Sequence, residues 1–301
     1  MRVDRTAADA WIASHVVPSA PLEVAHERPW STVLRVPQTD GSVWFKACSS
    51  VQAFEPRLTA GLHDRWPELI PEVLAFDDRR GWLLLADAGT RIADLGNPPD
   101  FWIDLLPRYA ELQRGEVALV DDHLAHGVPD LRVATLVERY EELFGEDLPV
   151  SDAERRRMRD FAPTFGRLCA ELASAGPSDS IQHDDLHMHN VFLGDDQLRV
   201  LDWGDSSVSH PFASLVVTFR FLEERNGLAP DDPWFGRIRD AYLEGWGSGL
   251  TELFDVAMRV GGFAHVIAEL RQRAALSGAP RAQFDDDFRV WLGRALARAD
   301  G

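Results

Sequence analysis

Apolar and polar positions follow two different rhythms along this chain, and the change between them divides it. Short apolar, β-branched runs at Thr32–Val36 and Val43–Ala47 flank PQTDG, whose Pro, Asp and Gly favour a turn. The pattern predicts a hairpin with Lys46 on its second strand. Residues 51–65, VQAFEPRLTAGLHDR, carry helical spacing, with Pro56 admissible in a first turn. Pro71–Phe76 and Trp82–Leu85 predict two more strands about the turn DDRRG. Strand, strand, helix, strand, strand is the order of a small α+β lobe.

After LLLADAG the apolar spacing moves close to 3.6. Helices are predicted at Phe101–Arg114, Arg132–Phe144, Asp152–Ser174, Pro211–Arg225, Asp232–Trp246, Leu253–Leu276 and Ala282–Arg298. The expected organisation is therefore two lobes, 1–87 rich in strands and 88–301 mainly helical. The helical run breaks once, from Ile181 to Trp203, and there the chemistry-bearing letters gather.

Composition narrows the function. Of 301 residues, 45% are apolar and 27% charged, an ordinary globular mixture with ample material for a core. Acids outnumber Lys plus Arg by 49 to 31, giving a net charge of −18. That argues against nucleic acid or an anionic membrane as partner, and suits a cationic small molecule. Two cysteines, Cys48 and Cys169, make no disulfide framework. The opening residues have no apolar signal core, and no apolar run is long enough to span a bilayer, so a cytoplasmic location is expected. Of the 31 basic residues 30 are Arg; Lys46 is the exception. A chain that uses Arg everywhere else and keeps one Lys suggests a slim ammonium there, where a broad planar fork would not serve, with chance as the competing explanation.

The central segment reads IQHDDLHMHNVFLGDDQLRVLDWGD. VFL and LRVL around GDDQ predict a short antiparallel hairpin. Folding it returns Asp202 to the end where Asn190 starts, with Asp185 five residues earlier in the feeding loop. Two acids and an amide are hard oxygen donors of the kind that hold Mg²⁺ together with substrate phosphates.

At these positions the sequence resembles the aminoglycoside phosphotransferase and choline kinase group. His183, Asp185, Leu186, His187 and Asn190 match its H-x-D-L-H-x-x-N loop, and Asp202-Trp203-Gly204 is similar to its second metal motif. The resemblance implies a bilobal, protein-kinase-like α+β fold, with 1–87 as nucleotide-binding lobe and 88–301 carrying the catalytic loop and acceptor site. It implies transfer of the γ-phosphoryl group of ATP to a hydroxyl of a small, cation-compatible acceptor such as an aminoglycoside or amino sugar. Asp185 would orient or deprotonate that hydroxyl. Asn190 and Asp202 would hold Mg²⁺, and Lys46, paired with Glu55, would contact the α- and β-phosphates. The adenine would lie near Leu85, Ala86 and Ala88. The stretch HERPWST lacks the expected glycine-rich phosphate loop, leaving Ser31, Thr32 and backbone N–H groups to cover the phosphates. Ser209-His210-Pro211 and Ser214-Leu215-Val216 stand where the family has G-D-P and D-L-A.

Two other readings compete. His183, His187 and His189 with Asp184 and Asp185 have the letters of a metallohydrolase cluster, and a non-catalytic nucleotide-binding protein would share the fold. The phosphotransferase reading alone accounts for Lys46, Asn190 and Asp202 together. Asp205 reads equally as a neighbour of the metal site and as a turn residue. Glu223-Glu224 and Asp231-Asp232 suit a cationic acceptor or exposed helix ends alike, and Asp285-Asp286-Asp287 reads as a solvated helix start.

Overall fold

The structure, a computed structural model, describes residues 3–299. In chain order the strands are β1 (Glu23–Glu27), β2 (Ser31–Gln38), β3 (Gly41–Cys48), β4 (Val73–Asp77), β5 (Trp82–Ala86), β6 (Thr90–Arg91), β7 (Asp130–Leu131), β8 (Ser180–Gln182), β9 (Val191–Gly194), β10 (Gln197–Val200) and β11 (Ser207–Ser209). The helices are α1 (Arg5–Ala13), α2 (Glu55–Arg65), α3 (Pro99–Glu116), α4 (Val120–Ala125), α5 (Val133–Glu142), α6 (Asp152–Ala175), α7 (Leu215–Asn226), α8 (Pro233–Glu244), α9 (Thr251–Ala274) and α10 (Gly278–Ala299). The chain forms two compact units, Met1–Asn97 with Met188–Asp205, and Pro98–His187 with Ser206–Gly301.

The first unit is built on an antiparallel sheet of order β1-β2-β3-β5-β4. Alternation gives the sheet two faces. Leu34, Val36, Phe45, Ala47, Trp82 and Leu84 share a buried cluster with Ala8 and Ile12 of α1. Trp11, Phe45 and Trp82 meet there edge to face, with centroids 5.6–5.8 Å apart. Lys46, Leu83 and Leu85 alternate with these residues and so take the other face. A 3₁₀ turn at Ser50–Gln52 precedes α2, which has Pro56 in its first turn.

The predicted GDDQ hairpin is β9–β10, paired from Val191↔Val200 to Gly194↔Gln197. It belongs to the first unit because β9 also pairs with β6, and Val200 N–H donates to Leu69 O at 2.8 Å. The hairpin and the segment just after β5 lie almost in contact. A side-chain carbon on Gly194 would stand 2.6 Å from Ala88 O, and the facing Gly89 holds φ +97°.

The second unit is mainly helical. Tyr140 stacks on Phe165 at 4.4 Å and Phe161 on Phe263 at 5.2 Å, joining α5, α6 and α9. Three very short strands form a separate ladder of order β7-β11-β8. Buried Gln113 of α3 ties it down, donating to Ile181 O at 2.9 Å and to Ser214 Oγ at 3.0 Å while accepting from Tyr242.

Three expectations are corrected. The N-terminal stretch adds α1 and β1 to the predicted elements. The helix expected from Pro211 opens as a 3₁₀ turn, Pro211–Ser214, with His210 Nδ1 accepting from Phe212 N–H, and α7 follows. The run Asp285–Asp287 lies inside α10, not at its start, and Asp285 accepts from Arg273 Nε at 2.6 Å. Among the described residues no helix is long and apolar enough to cross a membrane.

Candidate active site

In the first unit the candidate residues Glu55 and Asp202 converge on Lys46. Its place in the middle of β3 sends the side chain to the face opposite α1. Glu55 opens α2, where a carboxylate also suits the positive end of the helix. Nζ donates to Glu55 Oε1 at 2.7 Å, with Oε2 at 2.6 Å, and to Asp202 Oδ1. Glu55 is 1% exposed and Lys46 8%, whereas the Asp202 side chain keeps 45% of its surface. Cys48 Sγ donates to Glu55 Oε2 at 3.2 Å.

One ammonium therefore faces two carboxylates. Burial alone would push the lysine down, but Asp202 and then Glu55 hold it well above its ordinary value. Burial pushes Glu55 up, against the pull of Lys46, and Asp202 adds to the rise. The cluster thus carries excess negative charge.

Asp202 follows β10 in a left-handed conformation, φ +67°, which aspartate tolerates better than most side chains. Leu201 N–H donates to Asn190 O at 2.9 Å, so Asn190 and Asp202 meet at one end of the hairpin. A carboxylate and an amide oxygen beside excess negative charge fit a hard divalent cation.

The segment after Asp202 is locked to the approach of α2. Asp205 Oδ1 accepts from Gln52 Nε2 at 3.0 Å, and a side-chain carbon on Gly204 would lie 2.7 Å from both Gln52 Nε2 and Glu55 Oε2. Asp205 is thus a structural neighbour of the Lys46 cluster. Gln52 escaped the sequence reading, since a glutamine in VQAF carries no signal of its own.

The remaining predicted nucleotide residues lie in the same unit. Ser31 and Thr32 are buried ladder residues of β2, paired with Cys48 and Ala47. Leu85 of β5 pairs with Trp44 on the Lys46 face, Ala86 ends the strand half-buried, and Ala88 is buried against the hairpin.

Asp185 belongs to the second unit, in the loop after β8. Its N–H donates to buried His183 Nδ1 at 3.3 Å, and His183 N–H donates to Tyr109 Oη at 3.1 Å. Thr218 of α7 pins the loop through Leu186 O at 2.7 Å. Asp184 has φ +60° and accepts from Gln182 and Ser207; burial pushes its carboxyl up to about 6. Asp185 differs. Its side chain is 32% exposed, and His187 Nε2 lies 3.2 Å from Oδ1. Burial would raise it, but His187, then His183 and His265, hold it below its ordinary value. His187 is itself fixed against the Phe221 ring, centroids 4.2 Å apart. The outcome is an anionic, accessible carboxylate in a braced loop.

Among the described residues no group of three or more His, Cys, Asp or Glu is placed to hold a metal ion. Glu223 and Glu224 are engaged with Arg294 and Arg220, and Asp232 caps α8 through Trp234 N–H at 2.9 Å.

The model of the phosphotransferase enzyme family matches residues 33–254. Among solved structures, the GDP complex of a wild-type aminoglycoside 2'-phosphotransferase-IIIa superposes with a TM-score of 0.67 at 14% identity, over 98% of this chain and 99% of that one. A choline kinase from Streptococcus pneumoniae gives 0.62 at 13% identity, over 96% and 98%. An ethanolamine kinase from Plasmodium vivax gives 0.62 at 14% identity, over 93% and 82%. No curated protein matches the chain in sequence.

Proposed function

The chain belongs to the phosphotransferase enzyme family, and from that premise we propose that it moves the γ-phosphoryl group of ATP to a hydroxyl of a small molecule. The observation that carries this reading is the lone lysine, donating to buried Glu55 and to Asp202. Lys46 would hold the α- and β-phosphates, oriented by Glu55. Leu85, Ala86 and Ala88 would line the adenine. Asn190 and Asp202 would hold Mg²⁺, which when bound neutralises phosphate charge.

Asp185 would accept the hydrogen bond, and then the proton, of the attacking hydroxyl. The acceptor oxygen bonds to the γ-phosphorus as the bond to the β-phosphate oxygen breaks, releasing ADP. A carboxylate held anionic suits that task, because it orients the hydroxyl throughout and receives its proton late. Catalysis then rests on positioning and charge stabilisation.

The acceptor is proposed to be an aminoglycoside, an amino sugar or a related hydroxyl compound. Aminoglycosides, choline and ethanolamine, after which the matching enzymes are named, all join a hydroxyl to an amino or ammonium group. A net charge of −18 favours such cations.

The test is Mg²⁺-dependent ADP release from ATP against pools of aminoglycosides, amino sugars, neutral sugars and amino alcohols, with Asp185→Ala in parallel. A pool that stimulates the wild type and not the variant is the expected result. ATP binding without stimulation by any pool would refute the acceptor class, and absence of ATP binding would refute the reaction.

A further inference from the structure

The turn between β1 and β2 is built unlike a glycine-rich phosphate loop. Arg28 N–H donates to Ser31 O at 2.7 Å, so the connection is only Pro29 and Trp30. Pro29 has no N–H to give. The Trp30 carbonyl is taken by Ser49 N–H at 2.7 Å, and Ser31 and Thr32 are buried in the ladder. With Arg28 N–H engaged and Pro29 lacking one, the turn offers fewer main-chain donors than a glycine-rich loop, and side chains can add to them.

The strand register identifies one. His26 pairs with Val33, and Val33 pairs with Lys46. Directly paired residues of antiparallel strands project to the same face, so His26 and Lys46 share it, two strand spacings or about 10 Å apart. His26 is exposed. Partial desolvation holds its imidazole below the ordinary value, Asp202 opposing and Arg28, Lys46 and Arg91 adding to the fall, so the ring offers a neutral N–H. A phosphate chain held by Lys46 would meet the His26 ring on that shared face. The span from Lys46 is comparable with the reach of a polyphosphate chain.

We propose that His26 is a nucleotide-binding residue, donating a ring N–H to the terminal phosphates of the nucleotide held by Lys46, in place of a glycine-rich main chain. The proposal rests on the phosphotransferase reading and adds to it the contact that covers the phosphates.

Calorimetric dissociation constants for MgATP, MgADP and AMP test it on the wild type, His26→Ala, His26→Gln and His26→Glu. A hydrogen bond to a charged group predicts a loss of ~10-fold or more in MgATP affinity for His26→Ala, with AMP affinity unchanged. His26→Gln keeps an N–H donor and should recover most of the loss, while His26→Glu should fall furthest on MgATP. Each preparation is checked by its thermal melt, and the three replacements differ enough that folding of any one suffices to read the phosphate dependence. Equal affinities of wild type and folded variants for MgATP, or the same loss on AMP as on MgATP, would overturn the role of His26 while leaving the phosphotransferase reading intact. A wild type that binds no MgATP would overturn that reading and the proposal with it.

Discussion

Removing the ammonium from the Lys46 cluster gives the sharpest test of how the site is held. Lys46→Met keeps an unbranched stem of similar bulk, so the packing change is small. It leaves Glu55, at 1% exposure, as a buried carboxylate that keeps the weak Cys48 thiol donor. Breaking a buried pair from one side costs about 3–5 kcal/mol. Glu55→Gln alone should cost less, about 1–2 kcal/mol, because Lys46 keeps Asp202. The double variant buries neither charge, so its loss should fall short of the sum by about 2 kcal/mol. Urea unfolding of the four proteins closes the cycle. The pH dependence has a definite sign. Burial already raises the Glu55 carboxyl and Lys46 opposes that rise, so without Lys46 it climbs further. A raised carboxyl binds its proton more tightly in the folded state, so Lys46→Met should regain stability as pH falls and lose it as pH rises. Lys46→Arg should forfeit nearly as much turnover as Lys46→Met, since the broader fork has to fit a slot already filled at 2.6–2.7 Å from both Glu55 oxygens. Additive losses with a pH-independent deficit would refute the reasoning.

Three further outcomes follow from the neighbouring contacts. Gly204→Ala places a methyl 2.7 Å from Gln52 and Glu55 and should cost about 1–3 kcal/mol in denaturant unfolding; a wild-type midpoint would show that the segment gives way freely. Asp205→Ala removes the 3.0 Å bond from Gln52 and should raise the Mg²⁺ concentration for half-maximal nucleotide binding by ~10-fold, with Asp205→Asn, which keeps an oxygen acceptor, falling between; equal Mg²⁺ titrations would remove Asp205 from the site. Burial raises the Asp184 carboxyl from 3.8 to about 6, so the folded state binds the proton more tightly and stability drops by about 3 kcal/mol as pH rises through that window. Asp184→Asn should lack that drop when unfolding is compared across it, and parallel curves for the two proteins would contradict the assignment.

What could be read from the sequence divides along physical lines. The β2–β3 and β9–β10 hairpins announce themselves because apolar β-branched runs flank turn-forming letters, and pairing then places Lys46 and Asp202 without further information. The helix expected over 51–65 keeps its end at Arg65 but starts at Glu55, after the 3₁₀ turn Ser50–Gln52, which puts Pro56 in the first turn. The β1 strand was not, because every residue of EVAHE is exposed and no alternation marks a buried face. α1 hid for a related reason: it commits only Ala8 and Ile12 to the core. The strands β8 and β11 are three residues each, shorter than any periodicity, and exist through pairing with one another. Asp285–Asp287 misled because a run of acids suits a helix start, whereas Arg273 gives Asp285 its partner well inside α10. Gln52 and His26 lay beyond reach because their positions depend on a register and a close approach that only the folded chain has.

The two carboxylates on Lys46 are not equivalent, and the difference explains how one lysine can be both anchored and available. The bond to Glu55 lies in the interior, where a hydrogen-bonded charge pair is strong and costly to break from one side. The bond to Asp202 reaches a side chain that is 45% exposed, so water can take up its charge when it lets go, which the interior cannot do for Glu55 at 1% exposure. In the proposed reaction Asp202 is therefore the carboxylate that would leave the ammonium for a cation, while Glu55 would keep the lysine in place. The excess negative charge of the cluster would favour the same exchange, since Asp202 and Asn190 would hold a divalent cation that relieves what a single ammonium cannot. If the proposed function holds, a lysine with one buried and one exposed carboxylate would trade the exposed one for phosphate, and that asymmetry, more than the presence of the three residues, would suit the cluster to the reaction.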